Sequence, residues 1–241
     1  ASFRGLTSGE GVVYGRVSYQ LQAGNAKLGM AYTSMRYMLG EEFASTQSSG
    51  TATVSSFFAS YPLTRSRNRN LSAMWSLENK DFSDRLEATL PGVSADKNAR
   101  VGTVSLSGDV RDSFANGFNT YQLSWSRGQI DLHHPIYLAN DIASAQSNGD
   151  YDKVSYAITR QQELIKGTDI YWSVTGQWAS KNLDASEKIS LGGANGVRAY
   201  PTGEATGDQG TLFSLETRTN ITSHFDGLSG QLYLIGFVDA G

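Results

Sequence analysis

Apolar and polar residues alternate along most of this 241-residue chain. In residues 121–126, for example, Tyr, Leu and Trp alternate with Gln, Ser and Ser. Successive side chains of a β-strand point to opposite faces, so this pattern predicts strands with one apolar and one polar face. About ten such strands are predicted, most of them near the roughly 9–11 residues that cross a bilayer as tilted β-structure. They lie at residues 13–21, 27–38, 52–62, 71–77, 103–111, 121–126, 152–165, 170–178, 210–220 and 228–241.

The connections between these strands alternate between short and long. Outer-membrane barrels have tight periplasmic turns and long extracellular loops, whereas a Greek-key sandwich has no reason to keep such an order. The chain is therefore predicted to be all-β, an antiparallel up-and-down transmembrane β-barrel. The short turns are expected at 22–26, 62–70, 112–118, 164–168 and 221–227, and the long loops at 39–51, 81–98, 133–153 and 180–209.

The polar faces of the predicted strands carry charges and amides that a dry core could not hold. Burying such groups without partners costs several kcal/mol each, whereas a hydrated barrel lumen would solvate them. The apolar faces would then contact outer-membrane lipid, and barrel closure would satisfy the backbone. The residues assigned to the lumen are Arg16, Gln20, Glu78, Asp109, Arg111, Gln122, Gln177, Glu216 and Arg218.

Composition removes several other classes of protein. The net charge is −3, so we expect no nucleic-acid partner. The chain has no cysteine, which excludes a disulfide framework and a cysteine-liganded metal. No segment approaches the roughly 20 consecutive apolar residues of a membrane helix. No cofactor is predicted, and a monomeric barrel is expected.

Two motifs lie in the last quarter of the chain. The first is in a Gly-rich segment at residues 190–210, and the second ends the chain as Phe-Val-Asp-Ala-Gly at 237–241. They resemble the sixth extracellular loop and the Phe-x-Asp-x-Gly strand motif of two-partner secretion transporters, the haemolysin secretion/activation family. Many members carry Gly where this chain has Ala199. The motif residues are Val197, Arg198, Ala199, Tyr200, Pro201, Gly203 and Glu204 in the loop, and Phe237, Asp239 and Gly241 in the strand.

This resemblance implies an architecture and a contact. The family barrel has sixteen strands, which would place 169–179 as strand eleven and 228–241 as strand thirteen. Residues 1–241 would then be a partial C-terminal transporter domain, from about strand four to strand thirteen, without POTRA domains or the last strands. The resemblance also implies that Arg198 pairs with Asp239 in the lumen and holds the loop against the inner wall. An arginine fork suits this role because it binds a carboxylate through two parallel hydrogen bonds.

The implied function is export, with or without activation, of a large partner exoprotein across the Gram-negative outer membrane. The partner would be a haemolysin, an adhesin or a contact-dependent toxin. A passive porin is the alternative, although a porin has no need of the loop motif. His133 and His134, with Asp131 and Asp141 nearby, are the basis for an enzymatic interpretation. Adjacent loop histidines rarely converge on a metal, so no catalytic or metal-binding residue is predicted and the chain is not expected to be an enzyme.

Two further expectations concern residues around the motifs. Glu216 and Arg218 lie two positions apart on one strand face, so they are expected to balance each other's charge. Tyr200 is expected to pack within the loop rather than to contact a substrate.

Overall fold

The computed structural model describes residues 1–8, 11–38, 48–86, 94–112, 114, 117–194, 196–222 and 230–241. Eleven antiparallel strands form one sheet in which each strand pairs with its neighbours along the chain. Within the described residues the sheet is open, with its first and last strands as edges. The strands are β1 (Ser2–Thr7), β2 (Val12–Ala23), β3 (Ala26–Met38), β4 (Ser48–Arg65), β5 (Arg69–Leu86), β6 (Ser94–Arg111), β7 (Phe118–Leu132), β8 (Gly149–Ile165), β9 (Thr168–Ala179), β12 (Gly210–Asn220) and β13 (Tyr233–Ala240). Two short strands, β10 (Ile189–Ser190) and β11 (Thr206–Gly207), pair with each other between β9 and β12.

All ten predicted strands are present, as β2 to β9, β12 and β13. The sequence pattern missed β1, a strand of only six residues that pairs with β2 from Ser2–Ser18 to Thr7–Val13. The turn predicted at 221–227 falls mostly outside the described residues.

The predicted limits of two long loops were wrong. Strands β4, β5 and β6 are each 18 residues long, so they extend into the regions assigned to loops 39–51 and 81–98. Alternation fades there because both faces become polar, but backbone pairing continues with polar cross-strand contacts such as Ser83 Oγ to Ser94 Oγ at 2.8 Å. The remaining connections, 39–47 and 87–93, lie outside the described residues.

A short helix, α1 (Pro135–Ala143), occupies the loop predicted at 133–153. His134 is its N-cap, and the His134 Nδ1 accepts a hydrogen bond from the Ile136 amide at 3.3 Å. Asp141 closes the other end by accepting the Ser147 amide and hydroxyl at 3.0 and 2.7 Å. Among the described residues, no helix is long and apolar enough to cross a membrane.

The sheet has an inner face, defined here as the face against which residues 180–209 pack. Cross-strand register places Arg16 in one row with Thr33, Val54 and Lys80, and the other predicted lumen residues share that face. The opposite, outer face is apolar and exposed, and its residues include Val17, Phe57, Trp75, Leu123, Trp125 and Val238. The face assignment made from alternation is therefore confirmed, and the barrel wall has a polar inside and an apolar outside.

Gly128 on β7 leaves space on the inner face for a large buried side chain. Tyr151 on β8 stands directly opposite Gly128 on β7, and a Cβ atom on Gly128 would overlap the Tyr151 ring. The ring therefore lies flat across the sheet, where it is 2% exposed. Together with neighbouring residues it forms a small apolar cluster, whose other buried members are Ala99, Val101, Ile130 and Leu183.

Candidate functional site

Residues 180–209 connect β9 to β12 and lie on the inner face; we call them the inner segment. Its distal part, residues 191–205, is named the tip, and residues 180–190 are named the base. The tip folds back on itself through backbone hydrogen bonds, including Leu191 N to Ala205 O at 2.9 Å and Val197 N to Leu191 O at 2.8 Å. A Cβ atom on Gly192 would overlap the Pro201 carbonyl oxygen, so glycine is needed for this close backbone approach.

The tip contacts the barrel wall through Arg198. Its guanidinium binds Asp239 on β13 with two hydrogen bonds, from Nε to Oδ2 at 2.8 Å and from Nη2 to Oδ1 at 2.9 Å. The Arg198 backbone amide also donates to Asp239 Oδ2, at 3.2 Å. The Asp239 side chain is only 4% exposed. One carboxylate therefore binds both the side chain and the main chain of the tip.

Three more residues surround the same guanidinium. Arg198 Nη1 donates to Glu216 Oε2 at 2.9 Å, and Nη2 donates to Ser214 Oγ at 3.2 Å. The Ser214 hydroxyl donates in turn to Asp239 Oδ1, at 2.7 Å. The guanidinium also lies over the ring of Phe237, whose centroid is 3.6 Å from the guanidinium carbon. We call Arg198, Ser214, Glu216, Phe237 and Asp239 the tip clamp.

The cross-strand register explains why these wall residues meet. Ser214 is paired with Asp239 and Glu216 is paired with Phe237. Residues two apart on a strand share a face, so all four point inward from two neighbouring strands. Of these, Ser214 was not predicted from the sequence, and Glu216 was predicted to face the lumen and to balance the charge of Arg218.

The expected balance between Glu216 and Arg218 is incomplete. Arg218 does donate to one oxygen of Glu216, but the other oxygen binds Arg198. Glu216 is thus shared between its own strand and the tip. The alternation pattern contained the signal for this contact, because it already placed Glu216 on the lumen face one strand from Asp239.

The other motif residues lie around the clamp. A Cβ atom on Gly241 would press against the Leu212 and Val197 side chains, so this glycine leaves room for Val197 at the wall. The Glu204 carbonyl accepts the Gly192 amide at 3.2 Å, and Pro201 supplies the carbonyl that packs against Gly192.

The remaining motif positions are Ala199, Tyr200 and Gly203, none of which belongs to the tip clamp. Gly203 has a φ of +89°, which favours glycine. Ala199 is exposed, and it is not among the described residues with positive φ, so a side chain is accommodated there. Tyr200 is 54% exposed, so the expectation that it packs within the loop was wrong. Its backbone holds the turn: the Tyr200 carbonyl accepts the Gly193 amide at 2.9 Å, and the Tyr200 amide donates to the Val197 carbonyl at 3.1 Å.

The clamp keeps Arg198 charged. Hydrogen bonds donated to Asp239, and to a lesser degree to Glu216, raise the pKa of Arg198 above its ordinary value, against the opposing effect of burial. A guanidinium is protonated at every physiological pH in any case. The contact between tip and wall is therefore charge-assisted at every physiological pH. It is broken by movement of the tip and not by proton transfer.

The base has a separate set of anchors, none of which was predicted from the sequence. Glu187 is 5% exposed and accepts hydrogen bonds from Lys80 on β5 at 2.8 Å and from Lys153 on β8 at 2.7 Å. Asp184 accepts both of its bonds from Lys97 on β6, each 2.9 Å long. We call these five residues the base anchor. Lys80 and Lys97 are 107 and 87 residues away from their partners, so no local pattern could reveal the pairs.

Electrostatics keeps the buried glutamate ionised. Burial alone would raise the pKa of the Glu187 carboxyl, but Lys80 and Lys153 outweigh it and hold the pKa below its ordinary value. Burial alone would also raise the pKa of the Asp184 carboxyl, but hydrogen bonds from Ser186 and Lys97 outweigh it and hold the pKa below its ordinary value. Both carboxylates are therefore charged partners of wall lysines.

Comparison with known proteins places this site in context. The family model described as "Haemolysin secretion/activation protein ShlB/FhaC/HecB" matches residues 14–241. The Heme/hemopexin transporter protein HuxB of Haemophilus influenzae is 25% identical over 192 residues, which is 80% of this chain. That alignment covers 34% of HuxB, so the chain spans about a third of the length of the curated relatives it matches.

Two solved structures share the fold. CdiB from Escherichia coli superposes with a TM-score of 0.74 at 16% identity, over 95% of this chain and 42% of that one. CdiB from Acinetobacter baumannii gives a TM-score of 0.65 at 18% identity, over 95% of this chain and 43% of that one. At these identities the likeness concerns the fold alone.

Proposed function

Because the chain belongs to the haemolysin secretion/activation family, matched over residues 14–241, we propose that it forms part of a channel that exports a partner polypeptide across the outer membrane. Members of this family are Gram-negative outer-membrane transporters. The cargo we propose is a large secreted exoprotein such as a haemolysin, an adhesin or a contact-dependent toxin. The wall works as a monomer, with its apolar outer face in lipid, and needs no nucleic acid.

The tip clamp is the observation that carries this proposal. A wide barrel that exports an unfolded chain must be blocked at rest and must open during export. The inner segment lies across the inner face, and its tip is bound to the wall by the Arg198 side chain rather than by continuous strand pairing. Such a contact excludes passage when formed and can be released without unfolding the sheet.

The inner face suits a polypeptide substrate. It is lined by hydroxyl, amide and charged side chains, including Ser105, Ser124 and Ser126 in its buried part. Such groups can exchange hydrogen bonds with an extended backbone as well as with water. A passive porin would need the polar lining but would gain nothing from a segment clamped to the wall at Arg198.

A secretion assay on the full-length protein with its cognate exoprotein tests the proposal. We expect Arg198→Ala to reduce export about tenfold or more while the amount of barrel in the outer membrane is unchanged. Export in this proposal needs a tip that returns to a defined position on the wall, and the variant loses a largely buried charge pair whose breaking typically costs more than about 1.4 kcal/mol. Arg67→Ala is the matched control, since Arg67 is exposed in the turn between β4 and β5. Normal export by the Arg198 variant would contradict the proposal, as would a wild-type barrel that passes small sugars freely but no exoprotein.

A further inference from the structure

The base and the tip of the inner segment are bound to the wall in different ways. The tip reaches the wall through one residue, Arg198, by its side chain and its backbone amide, and through packing of Val197 at Gly241. Its distal residues are exposed: the side chain of Tyr200 is 54% accessible and residues 201–206 are all open to solvent. Release of Arg198 from Asp239, with the adjacent Val197 packing, would free it.

The base is embedded in the wall. Leu183 is 1% exposed and belongs to the apolar cluster with Val101, Ile130 and Tyr151. The Leu183 amide donates to Asp208 Oδ1 at 2.8 Å, which ties the base to the return path of the segment.

Glu187 organises the contacts of the base with distant strands. Its two carboxylate oxygens bind lysines of β5 and β8, and its backbone carbonyl accepts from Lys153 Nζ at 3.2 Å and from Gln177 Nε2 at 3.0 Å. Lys80 also lies 3.3 Å from Glu78, whose side chain is about one-third exposed. Glu187 thus joins three strands, β5, β8 and β9, at one buried point.

We propose that Glu187 is a positioning residue that makes the base a fixed part of the wall, so that channel opening is confined to the tip. This inference rests on the proposed function for the meaning of opening, but the division into a fixed base and a releasable tip is a property of the resting protein. The hinge then lies at the boundary of base and tip, next to Ser190 and Leu191. The base would line the pathway during export while the tip leaves it.

Spin-label mobility in the full-length protein, without exoprotein, tests this division. Ala185 in the base and Ala199 in the tip are both exposed alanines, and the chain has no cysteine of its own, so each can carry a label on an introduced cysteine. We expect Glu187→Gln to mobilise the label at 185 and to leave the label at 199 unchanged. Arg198→Ala should do the reverse.

A conservative variant separates positioning by charge from mere filling of space. Glu187→Asp keeps the charge on which both lysines act, so the label at 185 should stay immobile although the side chain is shorter. Asp131→Asn removes one carboxylate from an exposed strand end and should change neither label. An unchanged label at 185 in the Glu187→Gln protein would overturn the inference, and so would equal mobilisation of both labels by Arg198→Ala.

The two proposals fail in different assays. If the channel does not export a polypeptide, the secretion assay fails while the label pattern is unaffected. If the base is not a fixed block, the label pattern fails although Arg198→Ala still abolishes export.

Discussion

The guanidinium carbon of Arg198 lies 3.6 Å from the centroid of the Phe237 ring, so the cation is stacked on an aromatic face. Two nitrogens of the same group donate to Asp239, two residues further along the strand. The period of a strand places both Phe237 and Asp239 on one face, so the Phe-x-Asp pattern offers an arginine a ring and a carboxylate together. This gives the strand motif a physical meaning beyond the ion pair.

We expect the ring itself to contribute to the clamp. Phe237→Leu keeps an apolar side chain but removes the π-face, and should weaken the tip contact by about 0.5–1 kcal/mol, the usual range for an exposed cation–π pair. Phe237→Tyr retains the face and should behave like the wild type. The mobility of a label at Ala199 measures both. Equal mobility in the Leu and Tyr variants would show that only apolar bulk matters.

The turn between β6 and β7 should depend on pH in a narrow acidic range. Arg160 donates to both oxygens of Asp112, and Asn119 donates to one of them at 2.9 Å. These contacts lower the pKa of Asp112 to about 2, and the hydrogen bonds from Arg160 contribute most to the shift. In the unfolded chain the value is about 3.9, so the stabilisation is complete above about pH 4 and is lost as pH falls through about 2.

Amide hydrogen exchange at Phe114 can follow this loss, because the Phe114 amide donates to Asp112 Oδ1 at 3.1 Å. Exchange corrected for its intrinsic pH dependence should be constant down to about pH 4 and faster below it. Asp112→Asn should remove the additional acid sensitivity. The same acid response in the Asn variant would assign it to another group.

Alternation predicted the wall of this protein well because it reports directly on which residues face water and which face lipid. It placed Arg16, Glu78 and Glu216 on the inner face, as observed. It failed where both faces are polar, because backbone pairing then continues without an alternating pattern. This is the case at the end of β5 and the start of β6, which were assigned to the loop at 81–98. It also missed α1, whose Pro135 start and His134 cap lie in a region assigned to a loop.

Only part of the site could be predicted from the sequence. The contact between Arg198 and Asp239 came from the two motifs, and the structure has it. The contacts of Lys80 and Lys153 with Glu187 join elements that are far apart along the chain, and a lysine on a predicted lumen face has many potential partners. Only the folded sheet, which brings β5 and β8 beneath the base, selects Glu187 among them.

Gly128 should tolerate no side chain, unlike a strand glycine that faces open space. A Cβ atom there would overlap the Tyr151 ring, and the ring is buried beneath Leu183 and cannot move freely. We expect Gly128→Ala to destabilise the barrel by about 1–3 kcal/mol, the typical cost of overpacking. Gly102→Ala is the control, because its added atom would be 3.5 Å from Leu77, an ordinary contact. Urea unfolding in lipid vesicles measures both, and equal midpoints would refute the packing argument.

The last prediction concerns the coupling of Arg198 and Asp239. Arg198→Ala leaves Asp239 buried with only the Ser214 hydroxyl and the backbone amide of residue 198 as partners, whereas Asp239→Ala leaves Arg198 in contact with Glu216 and Phe237. The arginine variant should therefore loosen the tip more than the aspartate variant. Breaking a fully buried pair costs about 3–5 kcal/mol, and the partial exposure of Arg198 reduces this to about 2–3 kcal/mol.

The double variant decides whether the two residues act as one unit. Because the Asp239 carboxylate is a burden once Arg198 is gone, removing both should be no worse than removing Arg198 alone. The coupling energy should then be about 1–3 kcal/mol, well above the few tenths expected of independent sites. Hydrogen exchange at the Val197 amide, which is bonded to the Leu191 carbonyl at 2.8 Å, reports the free energy of opening within the tip, which we expect to fall as the tip loses its support on the wall. Arg198→Lys should fall close to Arg198→Ala in the same measurement, since an ammonium cannot donate along a planar fork to both oxygens and stack on Phe237. If the two single effects simply add, the clamp is not a coupled unit and Arg198 holds the tip through its other partners.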